Sequence, residues 1–156
     1  MKIICYYLCL GLLLIGCKSE PKEHSTTDLD ATSDLEASIE GVWELTGYYN
    51  YSDNKVIDSF NINTGSRQVK MYSPTRVMWS KNVPSDSTEW FGYGTYTVKD
   101  GELTEILDYG SEMMRRIIDE KKEFTYELLL DKDRFTQIEI DEDGNRIYSE
   151  NYTRIE

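Results

Sequence analysis

Beyond residue 17 the chain has no cysteine; the three it contains are Cys5, Cys9 and Cys17. A folded domain built after that point has no disulfide and no thiolate metal or iron–sulfur site. Histidine is almost as scarce: His24 stands alone, in a polar stretch, so a Ser-His-Asp or Cys-His arrangement cannot be assembled. Positive charge is short as well, with 17 Lys and Arg against 29 Asp and Glu and a net charge of −12. Such a surface repels the phosphates of nucleic acids and anionic headgroups, which argues against a nucleic-acid partner. Long apolar runs are missing too. The uncharged, apolar stretch Ile3 to Ile15 is too short for a spanning helix, which needs about 20 apolar residues. Asp and Glu are plentiful, but no spacing singles out an acid–base pair, so neither an enzyme nor a cofactor is expected.

What is present at the start is a positive Met1-Lys2 followed by that apolar stretch, the layout of a signal sequence. Leu14-Ile15-Gly16-Cys17 resembles the bacterial lipobox. The resemblance implies cleavage before Cys17, a diacylglycerol thioether on its thiol and acylation of the new amine. Several acyl chains hold a protein to a bilayer, where one binds only marginally. Residues 1–16 are therefore expected to be a signal peptide and the bilayer to be a partner through the lipid on Cys17. The expected location is the cell envelope, with the outer membrane favoured and its face open. Loss of residues 1–16 takes away only Lys2 among charged residues, so −12 becomes −13.

From Lys18 to Ile39 there is no aromatic residue, and Ser, Thr, Asp and Glu dominate. That composition cannot bury enough apolar surface to offset the entropy of ordering, so residues 17–39 read as a lipidated tether. At residue 40 a domain begins. Ten of the twelve tyrosines and all three tryptophans lie between Trp43 and Tyr152.

Alternation of apolar and polar residues marks strands at Gly41–Tyr51, Arg67–Tyr72, Thr75–Ser80, Glu89–Val98, Leu103–Tyr109, Glu123–Leu130, Phe135–Ile140 and Ile147–Ile155, with a shorter one at Ser59–Asn63. Lys99-Asp100-Gly101 is a hairpin signal. Asp141-Glu142-Asp143-Gly144-Asn145 is read as a turn, not a calcium loop, because its glycine is misplaced and no glutamate follows at the required distance. Met113, Met114, Ile117 and Ile118 recur at helical spacing, which predicts a short helix over Glu112–Lys122. Eight or nine strands joined mainly by hairpins predict an all-β, up-and-down antiparallel barrel.

Gly41-Val42-Trp43, at the opening of the first strand, looks like the G-x-W motif of lipocalins, and Arg154 in the last strand stands where those proteins carry an arginine against that tryptophan. Phe91-Gly92-Tyr93-Gly94-Thr95-Tyr96 and Leu103-Thr104-Glu105 are similar to a family of small lipocalin-like bacterial lipoproteins. The resemblance spans residue 40 to the end. It implies a barrel closed by a Trp43–Arg154 contact and a lumen able to take a small apolar or amphipathic ligand. The domain is shorter than most lipocalins, so the other outcome is a filled barrel with a structural or interaction role.

Strand parity nominates Met71, Trp79, Tyr96, Tyr126 and Glu105 as facing inward, with Gly92 and Gly94 leaving room between them at the end opposite Trp43. A carboxylate at Glu105 needs a partner if it is buried, and Arg76 and Gln137 are the candidates. Gly41, Trp43 and Arg154 are structural on either outcome.

Overall fold

The computed structural model describes residues 37–62, 65–85 and 87–156. The lipobox with Cys17, the signal and most of the tether lie outside those residues. The domain is built from nine antiparallel strands: β1 (Gly41–Ser52), β2 (Lys55–Asn61), β3 (Arg67–Tyr72), β4 (Arg76–Asn82), β5 (Trp90–Lys99), β6 (Glu102–Gly110), β7 (Glu123–Leu130), β8 (Arg134–Ile140) and β9 (Arg146–Arg154). One helix, α1 (Glu112–Glu120), lies between β6 and β7. Among the described residues no helix is long and apolar enough to cross a membrane.

Each strand from β3 onward pairs with the next, and β9 returns to pair with β1, so β1 and β3 to β9 close a ring. β1 serves three neighbours. Its first residues, Gly41–Glu44, pair with β3; Gly47–Ser52 pair with β2; and the opposite edge pairs with β9. The β1–β2 hairpin therefore extends past the ring, and every residue of β2 is exposed. An eight-stranded ring is just wide enough to be filled by side chains or to hold one small ligand.

The two ends of the ring differ. At the floor, Trp43 is fully buried, with Phe135 edge-on at 4.9 Å, and Phe135 stacks on Tyr152 at 4.5 Å. The Arg154 guanidinium lies 4.0 Å from the centre of the Trp43 ring. It donates to the carbonyls of Lys132, Glu40 and Ser38, while the Trp43 indole N–H donates to the Ile39 carbonyl at 2.7 Å. Gly41 sits beneath that guanidinium with φ of 130°, where a β-carbon would overlap the Arg154 Nη1. The closure implied by the G-x-W resemblance is thus a cation–π contact bordered by backbone hydrogen bonds.

The mouth carries α1 and the loop between β4 and β5. The Ser111 hydroxyl caps α1 by accepting from the Met114 N–H. Met114 is buried and Ile118 packs partly against the core, whereas Met113 and Ile117 are exposed. The helix therefore stands where its apolar spacing put it.

On β3 the expected parity is reversed. Gln68, Lys70 and Tyr72 are buried, and Met71 is 38% exposed. Met71 faces out and begins a cross-strand ladder with Met78, Tyr93 and Tyr109 over β3 to β6. Its expected place in the lumen is taken by Lys70, because the lumen holds a carboxylate that needs a cation.

Candidate functional site

Glu105 projects inward from β6, between Leu103 and Leu107, and is 2% exposed. The Lys70 ammonium lies 2.9 Å from its Oε1, and the Tyr72 hydroxyl donates to the same oxygen at 2.5 Å. Lys70 donates also to Gln137 Oε1 at 2.7 Å. Gln137 in turn donates to Glu150 Oε2 at 3.0 Å, and the same oxygen accepts from Gln68 and from the Tyr152 hydroxyl. A band of polar side chains from β3, β6, β8 and β9 thus crosses the middle of the barrel. Among the described residues no buried side-chain N or O lacks a partner. A satisfied network of this kind fixes strand register and rotamers, whereas a half-satisfied one would cost several kcal/mol.

Of the two partners anticipated for Glu105, Arg76 is on the outside, 3.6 Å from Asp108. Gln137 is inside but reaches Glu105 only through Lys70. Lys70 is the residue that sequence reasoning missed. Its signal was the inward parity of Glu105 itself, which calls for a cation across the barrel.

Above the polar band, towards α1, is a cavity of about 240 Å³. Part of its lining is apolar, from Trp79, Trp90, Leu107, Met114 and Phe124. The rest is polar, from Gln68, Lys70, Glu105, Tyr126, Gln137 and Glu150. Lys81, near the mouth end of β4 and half-buried, completes the lining. A recess of about 140 Å³ adjoins it, sharing Tyr126, Gln137 and Glu150 and adding Glu139 and Tyr148. Burial, reinforced by Glu105 and Glu150, pushes the Tyr126 hydroxyl well above its ordinary pKa, so that residue is a neutral hydrogen-bonding group.

The domain topology has a counterpart among solved structures. The barrel is similar to that of an uncharacterized protein from Bacteroides eggerthii. That match has a TM-score of 0.50 at 17% identity and covers 75% of this chain and 99% of that one. A lipocalin-like protein from Bacteroides uniformis matches with a TM-score of 0.48 at 15% identity, over 74% of this chain and 97% of that one. No protein-family model matches the chain, and no curated protein does so significantly. At this identity the likeness speaks to the fold alone.

Of the residues nominated from sequence, Trp79, Glu105 and Tyr126 meet at the cavity. Tyr96 does not. It lies at the floor, edge-on to Tyr72 at 4.9 Å, with its hydroxyl donating to the Ser73 carbonyl. The glycines leave no room for a ligand. A β-carbon on Gly92 would come within 2.9 Å of the Trp79 indole, which already occupies that space. Gly94 lies at a bulge between β5 and β6, and a β-carbon there would overlap the Ile106 carbonyl oxygen. The open volume lies where the β6–β7 ladder ends at Ile106 and Glu123 and α1 follows, and Trp90, Phe124 and Met114 join its lining.

Proposed function

We propose that this chain is a lipid-anchored, lipocalin-like protein of the bacterial envelope that holds a small amphipathic molecule in its barrel without transforming it. The carrying observation is the cavity of about 240 Å³ whose lining combines aromatic and polar side chains. Ligand sites combine these two features, the apolar surface for affinity and a few fixed polar groups for orientation. The volume falls a little below the roughly 300 Å³ at which pockets for drug-sized ligands begin, so the occupant is small. Leu14-Ile15-Gly16-Cys17 supports the anchor, and the outer membrane is the proposed destination. The rival is a structural lipoprotein, and the satisfied Lys70–Glu105–Gln137–Glu150 band favours it to the extent that polar side chains fill the lower lumen.

Native mass spectrometry of the full chain, released from membranes in mild detergent, separates the two. A binding protein carries a discrete small adduct that denaturation removes, or takes up a neutral apolar fluorescent probe. With neither adduct nor uptake the structural reading stands instead. Detergent phase partitioning tests the anchor: wild type enters the detergent phase and Cys17→Ser does not. A wholly aqueous wild type would overturn lipidation.

A further inference from the structure

We infer that the cavity selects an organic cation, a small amphipathic amine that enters ammonium-first and leaves its apolar body under α1. This rests on the binding reading above and adds the charge and orientation of the ligand.

Each carboxylate of the band has only one of its oxygens engaged. Lys70 and Tyr72 both donate to Oε1 of Glu105. Gln68, Gln137 and Tyr152 all donate to Oε2 of Glu150. The other oxygen of each carboxylate, Glu105 Oε2 and Glu150 Oε1, accepts no hydrogen bond among the described residues. Neither does Gln68 Oε1. Since no buried polar atom there lacks a partner, these three oxygens are in contact with open space, and all three residues line the cavity. The polar lining therefore presents three unused acceptors, while two of the three Lys70 donors and the amide nitrogens of Gln68 and Gln137 are already engaged; the donors left over are the third Lys70 N–H, the Tyr126 hydroxyl and, nearer the mouth, the Lys81 ammonium.

Charge points the same way. At its depth the band holds two carboxylates and one ammonium, a local excess of one negative charge that Lys81, nearer the mouth, balances over the whole lining. The adjoining recess adds Glu139 and no cation. Tyr126 and Tyr148 line the recess beside those carboxylates, Tyr148 with one face stacked on Tyr48, and Lys70 already lies 5.9 Å from the Tyr126 ring centre. Carboxylates with aromatic faces are the surroundings that stabilise a partly desolvated ammonium. An anionic head group placed there would meet Glu105 and Glu150 at close quarters.

Lys81 opposes cations, and its position fixes the orientation. It lies near the mouth end of β4, opposite Gln68 on β3 and Trp90 on β5. Its charge disfavours an ammonium left at the rim and tolerates one carried down to the carboxylates. The apolar remainder of the ligand then lies against Trp79, Trp90 and Phe124.

The test is calorimetric titration of the full chain in detergent with three matched probes: phenethylamine, 2-phenylethanol and 3-phenylpropionate. The amine is expected to bind tightest, the alcohol roughly tenfold more weakly and the carboxylate weakest of all, as one charge-assisted hydrogen bond dictates. Glu150→Gln keeps an oxygen where Gln68, Gln137 and Tyr152 donate but turns the atom facing the cavity into a donor. It should weaken the amine by roughly tenfold or more and the alcohol far less, because a hydroxyl can accept from the new amide where an ammonium cannot. Equal amine binding by Glu150→Gln overturns the placement of the ammonium. Carboxylate binding as tight as amine binding overturns the charge assignment while the cavity remains a binding site. So does uptake of the neutral fluorescent probe with no response to phenethylamine. Failure of every probe overturns the binding reading itself. If Glu150→Gln does not fold, the ranking of the three probes on wild type decides alone.

Discussion

Lys70 and Glu105 meet inside the barrel at 2.9 Å, each side chain only 3% exposed, from strands 35 residues apart in sequence. An ion pair this deep contributes little net stability over an apolar pair, but removal of one partner strands a charge. Lys70→Met should therefore destabilise the domain by about 3–5 kcal/mol. Lys70→Met combined with Glu105→Leu should recover a large part of that loss, with a coupling energy of about 0.5–3 kcal/mol. Chemical denaturation of the four proteins in the cycle measures it. Additive losses would mean that the two side chains act independently.

The two inward glycines of β5 should behave differently. Gly94→Ala forces a methyl group into the Ile106 carbonyl, where only backbone movement gives relief. It should cost about 3 kcal/mol or more and can prevent folding. Gly92→Ala meets the edge of the Trp79 indole, a side chain that can swing into the cavity. It should cost about 1–2 kcal/mol as an overpacking change and reduce probe uptake. Thermal midpoints of the two variants give the comparison, and a Gly94→Ala protein as stable as wild type would contradict the close β5–β6 approach.

Alkaline pH should unfold the domain cooperatively. Burial first, then the neighbouring Glu105 and Glu150, holds Tyr72, Tyr126 and Tyr152 well above the ordinary value of 10.0. A raised folded-state pKa gives stability that is fully present below pH 10 and is lost as the pH climbs towards the folded value, because only the unfolded chain can then release the proton. Denaturant midpoints should thus begin to fall above pH 10. Tyrosinate absorbance from Tyr72, Tyr126 and Tyr152 should appear only with loss of structure. A single smooth titration with the fold intact would refute the buried, neutral state of these rings.

The parts of this architecture legible in the sequence are those set by local pattern or by residues with narrow geometric roles. Gly41, Trp43 and Arg154 met at the floor because a positive-φ glycine, an indole and a planar cation make one compact unit. Glu105 faced inward because β6 alternates without interruption up to Leu107. The parity of β3 failed for a physical reason: assigning its apolar residues to the inside assumes an oily lumen, and a buried carboxylate on β6 invalidates that assumption for the strand that must answer it. The space around Gly92 and Gly94 was misjudged because missing side-chain volume on one strand says nothing of what a neighbour places there. Trp79 filled one gap and the β6 backbone the other. Trp90 shares the strand face of Gly92 and Gly94, and Met114 the apolar face of α1, but that the two meet over one cavity is a tertiary relation with no signature in the spacing of residues.

The aromatic floor has a consequence for motion. Trp43, Phe135 and Tyr152, each at most 1% exposed, tie β1, β8 and β9 together at one end. At the other end lie an exposed β2, a helix of nine residues and a pocket. Stability is therefore graded along the barrel axis. Backbone amides near the floor should exchange with solvent only through global unfolding, while those near the mouth open locally at far lower cost. A guest can come and go through breathing of the mouth alone, leaving the closure between the first and last strands undisturbed.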